Sequence, residues 1–193
     1  MSPLAHHFYT MALNNAWANH RLLGACARLS PADFTARRTS FFPSIVATAN
    51  HLLTVDWFYV DALERAHRGQ PVNADARRFF EPEVPFLACV DVQREQRAVD
   101  QRLIAFCRTV EDLERPVPIQ RAHGPVEETT TRMLAHLFEH QIHHRGQIHA
   151  MLAGTSVPPP QLDEFFCAGD APLRAADLAE LGLSEEDIWV NPR

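Results

Sequence analysis

Apolar residues recur at helical spacing in the first thirty residues of the chain. They follow one another at intervals of four and three residues, and this spacing is typical of a helix with one buried face. The series consists of Leu4, Phe8, Met11, Asn15, Ala18, Leu22, Ala25 and Leu29, with Asn15 as its polar member. The pair Ser30-Pro31 ends the pattern, because proline after serine favours a turn.

Three further stretches carry the same periodicity. They run from about Phe42 to Arg68, from roughly Phe86 to Leu113, and from Glu127–Thr130 to Gly154. Four amphipathic segments of about 25 residues correspond to rods of about 37 Å. The pattern therefore predicts an all-α protein, a four-helix bundle.

The connections between the predicted helices are unequal in length. The links at residues 30–41 and 69–85 are long for an up-and-down bundle, so we expect at least one crossover connection. Between the third and fourth helices, prolines flank His123-Gly124, and this segment is compatible with a short β-hairpin.

A chain of 193 residues corresponds to one domain, and we expect residues 1–193 to form one. The bundle core should comprise residues 1–155. Residues 156–193 are acidic but also rich in apolar side chains, so we expect a C-terminal tail of short helices packed on the bundle or on a partner subunit. Those apolar residues are Phe165, Phe166, Leu173, Leu178, Leu181 and Trp189.

Charge and composition limit the kinds of partner that we expect this protein to bind. The formal net charge is −6, and all 18 basic residues are arginines spread along the chain. Without a basic patch, we expect no binding to nucleic acid or to anionic membranes. No apolar run is long enough to span a bilayer and no signal peptide is evident. The four cysteines form no C-x-x-C pair, which fits reduced thiols in the cytoplasm.

Histidines are the unusual feature, since five of the eleven lie within residues 136–149. In the fourth predicted helix, His140 and His144 occupy inward positions where a bundle normally has leucine. Side chains four residues apart lie about 40° apart on the same helical face, so both imidazoles can reach one metal ion.

A third histidine lies on the inward face of the second predicted helix. Packed against the fourth helix, His51 is the natural third ligand for His140 and His144, whereas Asp56 lies on a different face. Three nitrogen ligands leave a coordination position open, as in catalytic metal sites. Imidazole ligands suit zinc, nickel, copper or iron, so the spacing alone does not choose the metal. The alternative is that these histidines are hydrogen-bonded core residues.

Several neighbours are candidates for supporting roles. We expect His136 to lie at the edge of the core or to contact a ligating histidine. The alternative is that His136 binds the metal itself. Asn15 is either a core amide that sets helix register or a polar group at the pocket, and Gln147 is either structural or in contact with a ligand. His143 should face outward. Arg145 should pair with a carboxylate, such as one from the tail.

The sequence lacks the motifs that are typical of several other enzyme classes. There is no phosphate-binding Walker loop, no G-x-G-x-x-G and no G-x-S-x-G. Gln141 follows His140 where an H-E-x-x-H protease has glutamate, and the Glu-x-x-His repeats of di-iron bundles are also absent.

Four sequence runs resemble the DinB family of damage-inducible proteins. They are Asn14-Asn15-Ala16-Trp17-Ala18-Asn19-His20-Arg21-Leu22-Leu23, Asn50-His51, His140-Gln141-Ile142-His143-His144-Arg145-Gly146-Gln147 and Pro159-Pro160-Gln161-Leu162-Asp163-Glu164-Phe165-Phe166. The resemblance covers roughly residues 1–168. It implies a four-helix bundle, usually dimeric, with a divalent metal ion held by the histidines that correspond to His51, His140 and His144.

Relatives in the same superfamily are similar to metal-dependent transferases and isomerases that use low-molecular-weight thiols. The resemblance thus leads to a homodimeric, metal-dependent enzyme of the thiol-transferase type, acting on a small electrophilic substrate. Two alternatives stay open: a hydrolase that uses metal-bound hydroxide, and a non-catalytic stress-response protein whose metal supports the bundle. The catalytic residues, the substrate and the thiol are not defined by the sequence.

Overall fold

Four long helices dominate the structure, a computed structural model that describes residues 1–121 and 123–190. The long helices are α1 (Pro3–Cys26), α3 (Ile45–His67), α4 (Cys89–Thr109) and α5 (Thr130–Leu152), with the short α2 (Pro31–Thr35) between α1 and α3. Strands β1 (Pro116–Arg121) and β2 (Gly124–Thr129) form an antiparallel hairpin before α5. The tail contains α6 (Ala171–Leu181) and α7 (Glu185–Trp189), and 3-10 turns lie at Ala76–Phe80 and Ala168–Asp170. The predicted all-α bundle is confirmed.

Side-chain caps determine where several helices begin. Ser2 accepts a hydrogen bond from the Ala5 amide at the start of α1, and Ser44 does the same for Ala47 in α3. A serine or threonine oxygen satisfies an amide that has no partner within the helix. The second helix therefore begins at Ile45, three residues later than the periodicity indicated.

Helix contacts define the connectivity of the bundle. α1 packs mainly on α4 and α5, and α3 also packs on α4 and α5, so α1 and α3 lie on a diagonal. The link from α1 to α3 spans this diagonal, and the hairpin-containing link from α4 to α5 spans the other diagonal. The expected crossover connection is present, and the hairpin provides a second one.

The described part of the tail docks on α1. Arg21 on α1 forms ion pairs of 2.7 Å with Glu164 and 2.6 Å with Asp177. Trp17 is completely buried, and its ring centre lies 5.5 Å from that of Phe165. These contacts place tail helix α6 against the outer face of the bundle, while residues 191–193 of the predicted tail lie outside the described residues.

Across the described residues, the helices are all too short or too polar to cross a lipid bilayer.

Candidate metal centre

Three histidines from two helices meet at the α3–α5 interface. His51 lies in the second turn of α3, and His140 and His144 lie one turn apart on α5. One ring nitrogen from each lies within 4.8 Å of those from the other two. The Nε2 atoms of His51 and His140 are 2.9 Å apart, so these two rings point directly at each other. The trio derived from helical spacing is thus brought together in the structure.

Burial keeps these imidazoles neutral. Desolvation, followed by neighbouring His144, lowers the pKa of His51 to about 4. Desolvation and the adjacent histidines lower the pKa of His140 to about 3. For His144, desolvation also lowers the pKa, although the hydrogen bond with Gln147 acts in the opposite direction. At neutral pH each ring therefore has one unprotonated nitrogen with a lone pair that can bind a cation.

Gln147 orients His144 from the next turn of α5. Its Oε1 accepts a hydrogen bond of 2.9 Å from Nδ1 of His144, and its Nε2 donates to Nε2 of His143 at 3.0 Å. With Nδ1 carrying the proton, Nε2 of His144 is free to act as a ligand. This arrangement matches metal sites in which the second ring nitrogen of a ligand donates to a nearby oxygen.

Aromatic rings surround the histidines. The ring of Phe42, in the loop before α3, lies 4.3 Å from that of His51 and 5.5 Å from that of His144. His136 is largely exposed, and its ring lies 6.2 Å from His140 and 5.3 Å from Tyr59. Periodicity did not single out Phe42, because it belongs to a loop whose path cannot be read from helical spacing.

The remaining candidates lie elsewhere. Asn15 donates to Asp100 at 3.1 Å and accepts a hydrogen bond from Arg145, so it belongs to a group of polar side chains in the bundle core. We expected Arg145 to pair with a carboxylate, such as one from the tail. Arg145 is instead buried and donates to amide oxygens, with Asp56 and Asp100 as its charged neighbours, whereas two tail carboxylates pair with Arg21.

We call this group the buried polar network, and it lies on the inner side of α5. Its hydrogen bonds connect four helices, and none of its members is more than 5% exposed. Its members are Asn15, Asn19, Asp56, Gln96, Asp100, Gln141 and Arg145. Because Gln141 and Arg145 each directly follow a cluster histidine, the network fixes the rotation of α5 about its axis.

The two carboxyl groups of the network have shifted pKa values. Burial and then the nearby Asp100 raise the pKa of Asp56 to about 7, although Gln141 and Gln96 donate to it. Burial likewise raises the pKa of Asp100 to about 6, against the effect of Asn19 and its other donors. The guanidinium of Arg145 favours the ionised form of both carboxyl groups.

The Asp56→Asn variant should reveal this shift as a pH-dependent stability difference. Folded Asp56 keeps a proton that the unfolded chain releases above about pH 4. Its contribution to stability therefore falls as the pH rises from about 4 to about 7. The neutral variant lacks this loss, so its stability relative to wild type should increase between pH 5 and pH 7.5.

Urea unfolding of both proteins, freed of metal with a chelator, measures this difference. The buried histidines have the opposite pH dependence, but they are the same in both proteins and cancel in the comparison. A stability difference that does not change with pH would contradict the shifted pKa of Asp56.

Fold and cluster together define a class of protein, a helical bundle with three histidines converging between two of its helices. The model of the DinB family matches residues 1–171, and the chain belongs to the DinB family. The chain is 29% identical to Protein DinB of Bacillus subtilis (strain 168) over 162 residues. The aligned region covers 79% of this chain and 86% of that protein. The resemblance stated from the sequence is confirmed.

Proposed function

We propose that the protein is a metal-dependent enzyme of the thiol-transferase type, with a divalent ion held by His51, His140 and His144. The observation that carries the metal site is the convergence of the three imidazoles within 4.8 Å. Among the described residues, no further histidine, cysteine, aspartate or glutamate joins this cluster. A three-nitrogen set with no fourth protein ligand is the arrangement of catalytic rather than structural zinc sites.

The donor set fits zinc or nickel. Neutral imidazole is a good ligand for both ions, and the lowered pKa values mean that little free energy is spent on removing protons before binding. A bound divalent ion would lower the pKa of a coordinated thiol or water toward neutrality.

The protein's own side chains would shape the reaction. Gln147 holds His144 in one tautomer, and Phe42 covers one side of His51 and His144. The half-exposed faces of His51 and His140 leave the cluster accessible from outside the bundle. We propose that a low-molecular-weight thiol enters from this side and adds to, or displaces a leaving group from, a small electrophilic substrate.

The Gln147→Ala variant should weaken metal binding by about 10–100-fold, the usual effect of removing a side chain that orients a ligand. The fold should persist, since Gln147 is only partly buried on α5. Competition with a fluorescent chelator measures the affinity. The matched control is His143→Ala, which removes the other partner of Gln147 and leaves the bond to His144 in place. Equal affinities in Gln147→Ala and wild type would show that His144 needs no such partner.

The activity itself is tested with metal-loaded protein, a panel of small thiols and an aryl chloride as the electrophile. We expect formation of a thioether with release of chloride and of the thiol's proton, in a reaction that requires added thiol. His140→Ala should abolish both metal binding and turnover. Loss of metal with the thiol transfer intact would overturn the proposal, and hydrolysis of esters or lactones without thiol would support the hydrolase instead.

We also propose that the protein is a cytoplasmic homodimer that acts on a small molecule. Family membership supports the dimer, and the four free cysteines support the cytoplasm. Light scattering coupled to size-exclusion chromatography measures the oligomeric state, for which we expect twice the chain mass of 21.8 kDa.

A further inference from the structure

A groove lies between α1, α4 and the C-terminal tail, away from the three histidines. Its volume is about 530 Å³, within the usual range of small-molecule sites. We call it the α1–α4 groove. Its apolar walls are formed by Ala16 and Leu23 of α1, Ile104 and Ala105 of α4, and Leu181 and Leu183 of the tail.

The floor of the α1–α4 groove is polar and fixed. It is formed by Asn19, Gln96 and Asp100, each no more than 4% exposed. Asn19 donates to both oxygens of Asp100 at 3.1 and 3.2 Å, and Gln96 donates to one of them at 3.2 Å. Asn15 donates to the same carboxylate at 3.1 Å. Because both oxygens of Asp100 already accept hydrogen bonds, the floor is held in place and has little capacity to bind a cation.

The rim of the α1–α4 groove is basic. Arg94, Arg97 and Arg108 all line it. Arg94 is paired with acidic neighbours on α4, and Arg97 donates to the backbone oxygen of Glu180 at 3.0 Å. Arg108 is exposed and forms no side-chain hydrogen bond or ion pair with any residue that the structure describes. One cation is therefore available to a ligand.

The acidic groups near the rim are already engaged. Glu180 lies 3.1 Å from His20, which also lines the groove. Asp91 and Glu95 offset Arg94, so Arg108 is the rim arginine without a hydrogen-bonded or ion-paired partner among the described residues. An exposed cation at the mouth of an apolar groove favours a ligand with an anionic end group.

We propose that the α1–α4 groove is a binding site for a small organic anion with an apolar body, such as a medium-chain carboxylate. The acid group lies at the rim beside Arg108, and the hydrocarbon chain lies along the apolar walls. This site does not involve the histidine cluster, so a test of anion binding is independent of the proposed metal chemistry.

Titration calorimetry of the full chain with decanoate, below its micelle concentration, tests this site. We expect saturable binding of one decanoate per chain. The Ala105→Trp variant places a large ring in the groove from an exposed position on α4 and should abolish binding. Its matched control, Ala135→Trp, puts the same ring on an exposed position of α5 and should bind normally.

The charge requirement is tested separately. The Arg108→Gln variant should weaken binding about threefold to fivefold, the effect of losing one exposed ion pair. Arg132→Gln, at an exposed site on α5, should leave binding unchanged, and decanol should bind more weakly than decanoate. Absence of saturable binding, or full binding by Ala105→Trp, would overturn the proposal. So would a dimer that dissociates in Ala105→Trp without any binding of decanoate, because the groove would then be a subunit interface.

Discussion

Replacing Arg145 with methionine is expected to lower the free energy of unfolding by about 3–5 kcal/mol, the cost of breaking a buried ionic group by removing one partner. Arg145 is 5% exposed and donates to Asn15, Asn19 and Gln141. Its charge also favours ionisation of the buried carboxyl groups. Without it, these amide oxygens lose a donor and the carboxyl groups lose their neighbouring cation.

Urea unfolding monitored by circular dichroism measures the effect of the Arg145 substitution. The transition midpoint should fall while its slope stays the same, because the same surface is exposed on unfolding. The control is Arg132→Met, which removes an exposed ion pair of 3.3 Å with Glu128 and should change stability by no more than about 0.5 kcal/mol. If Arg145→Met were as stable as this control, the buried polar network would not hold α5 in place.

The second large effect concerns the histidines. Alanine at His140 should reduce metal affinity by more than the roughly 10–100-fold that outer residues cause, because it removes a ligand and its converging nitrogen. The three rings form a nearly equilateral triangle, in which the centre of His140 lies 4.9 Å from His51 and 4.4 Å from His144, and the last two lie 4.6 Å apart. We expect the same result for His51→Ala and His144→Ala.

The fold should survive these histidine substitutions. His140 is only partly buried, and its Nδ1 has no hydrogen-bond partner among the described residues. Alanine therefore removes a single hydrogen bond, the one between Nε2 of His140 and Nε2 of His51. Thermal unfolding of metal-free wild type and variant proteins should give similar midpoints. His149→Ala, on the same helix but bonded to the backbone oxygen of Pro160, is the control that should keep full metal affinity. Loss of metal in this control would assign the effect to general disruption of α5.

Helical spacing was sufficient to predict the four long helices and the three histidines. Each depends on a local rule, since side chains three and four residues apart share one face. The order of helices around the bundle allowed His51 to meet His140 and His144, and the inward position of all three was readable from the leucines and valines beside them. Capping residues then moved the helix ends by a few residues.

The buried polar network was not predictable in the same way. Asp56, Gln96 and Gln141 come from three helices, and their hydrogen bonds depend on how those helices rotate and pack. In the sequence Asp56 and Gln141 resemble ordinary surface residues, and Gln96 lies on the apolar stripe of the third predicted helix without any sign of its partners. The tail was our example of a carboxylate partner for Arg145 for the same reason, since no sequence neighbour of Arg145 shows that Asp100 and Asp56 are its charged neighbours.

Family membership extends the sequence prediction without completing it. It supports the bundle and the histidine trio, while the proposed reaction would depend on what enters beside Phe42 and His51. The α1–α4 groove lies outside any motif, because its walls come from two helices and the tail. Only the assembled structure brings Ala105, Arg108 and Leu183 to one place.

The most direct test of the metal centre is the metal content of the untagged protein, measured by elemental mass spectrometry. We predict about one zinc or nickel ion per chain in the wild type, and close to none in His51→Ala, His140→Ala and His144→Ala. A wild-type protein that holds no metal, even after reconstitution with either ion, would contradict the metal centre. The three histidines would then be polar residues of the bundle core, and the proposed enzyme chemistry would be wrong as well.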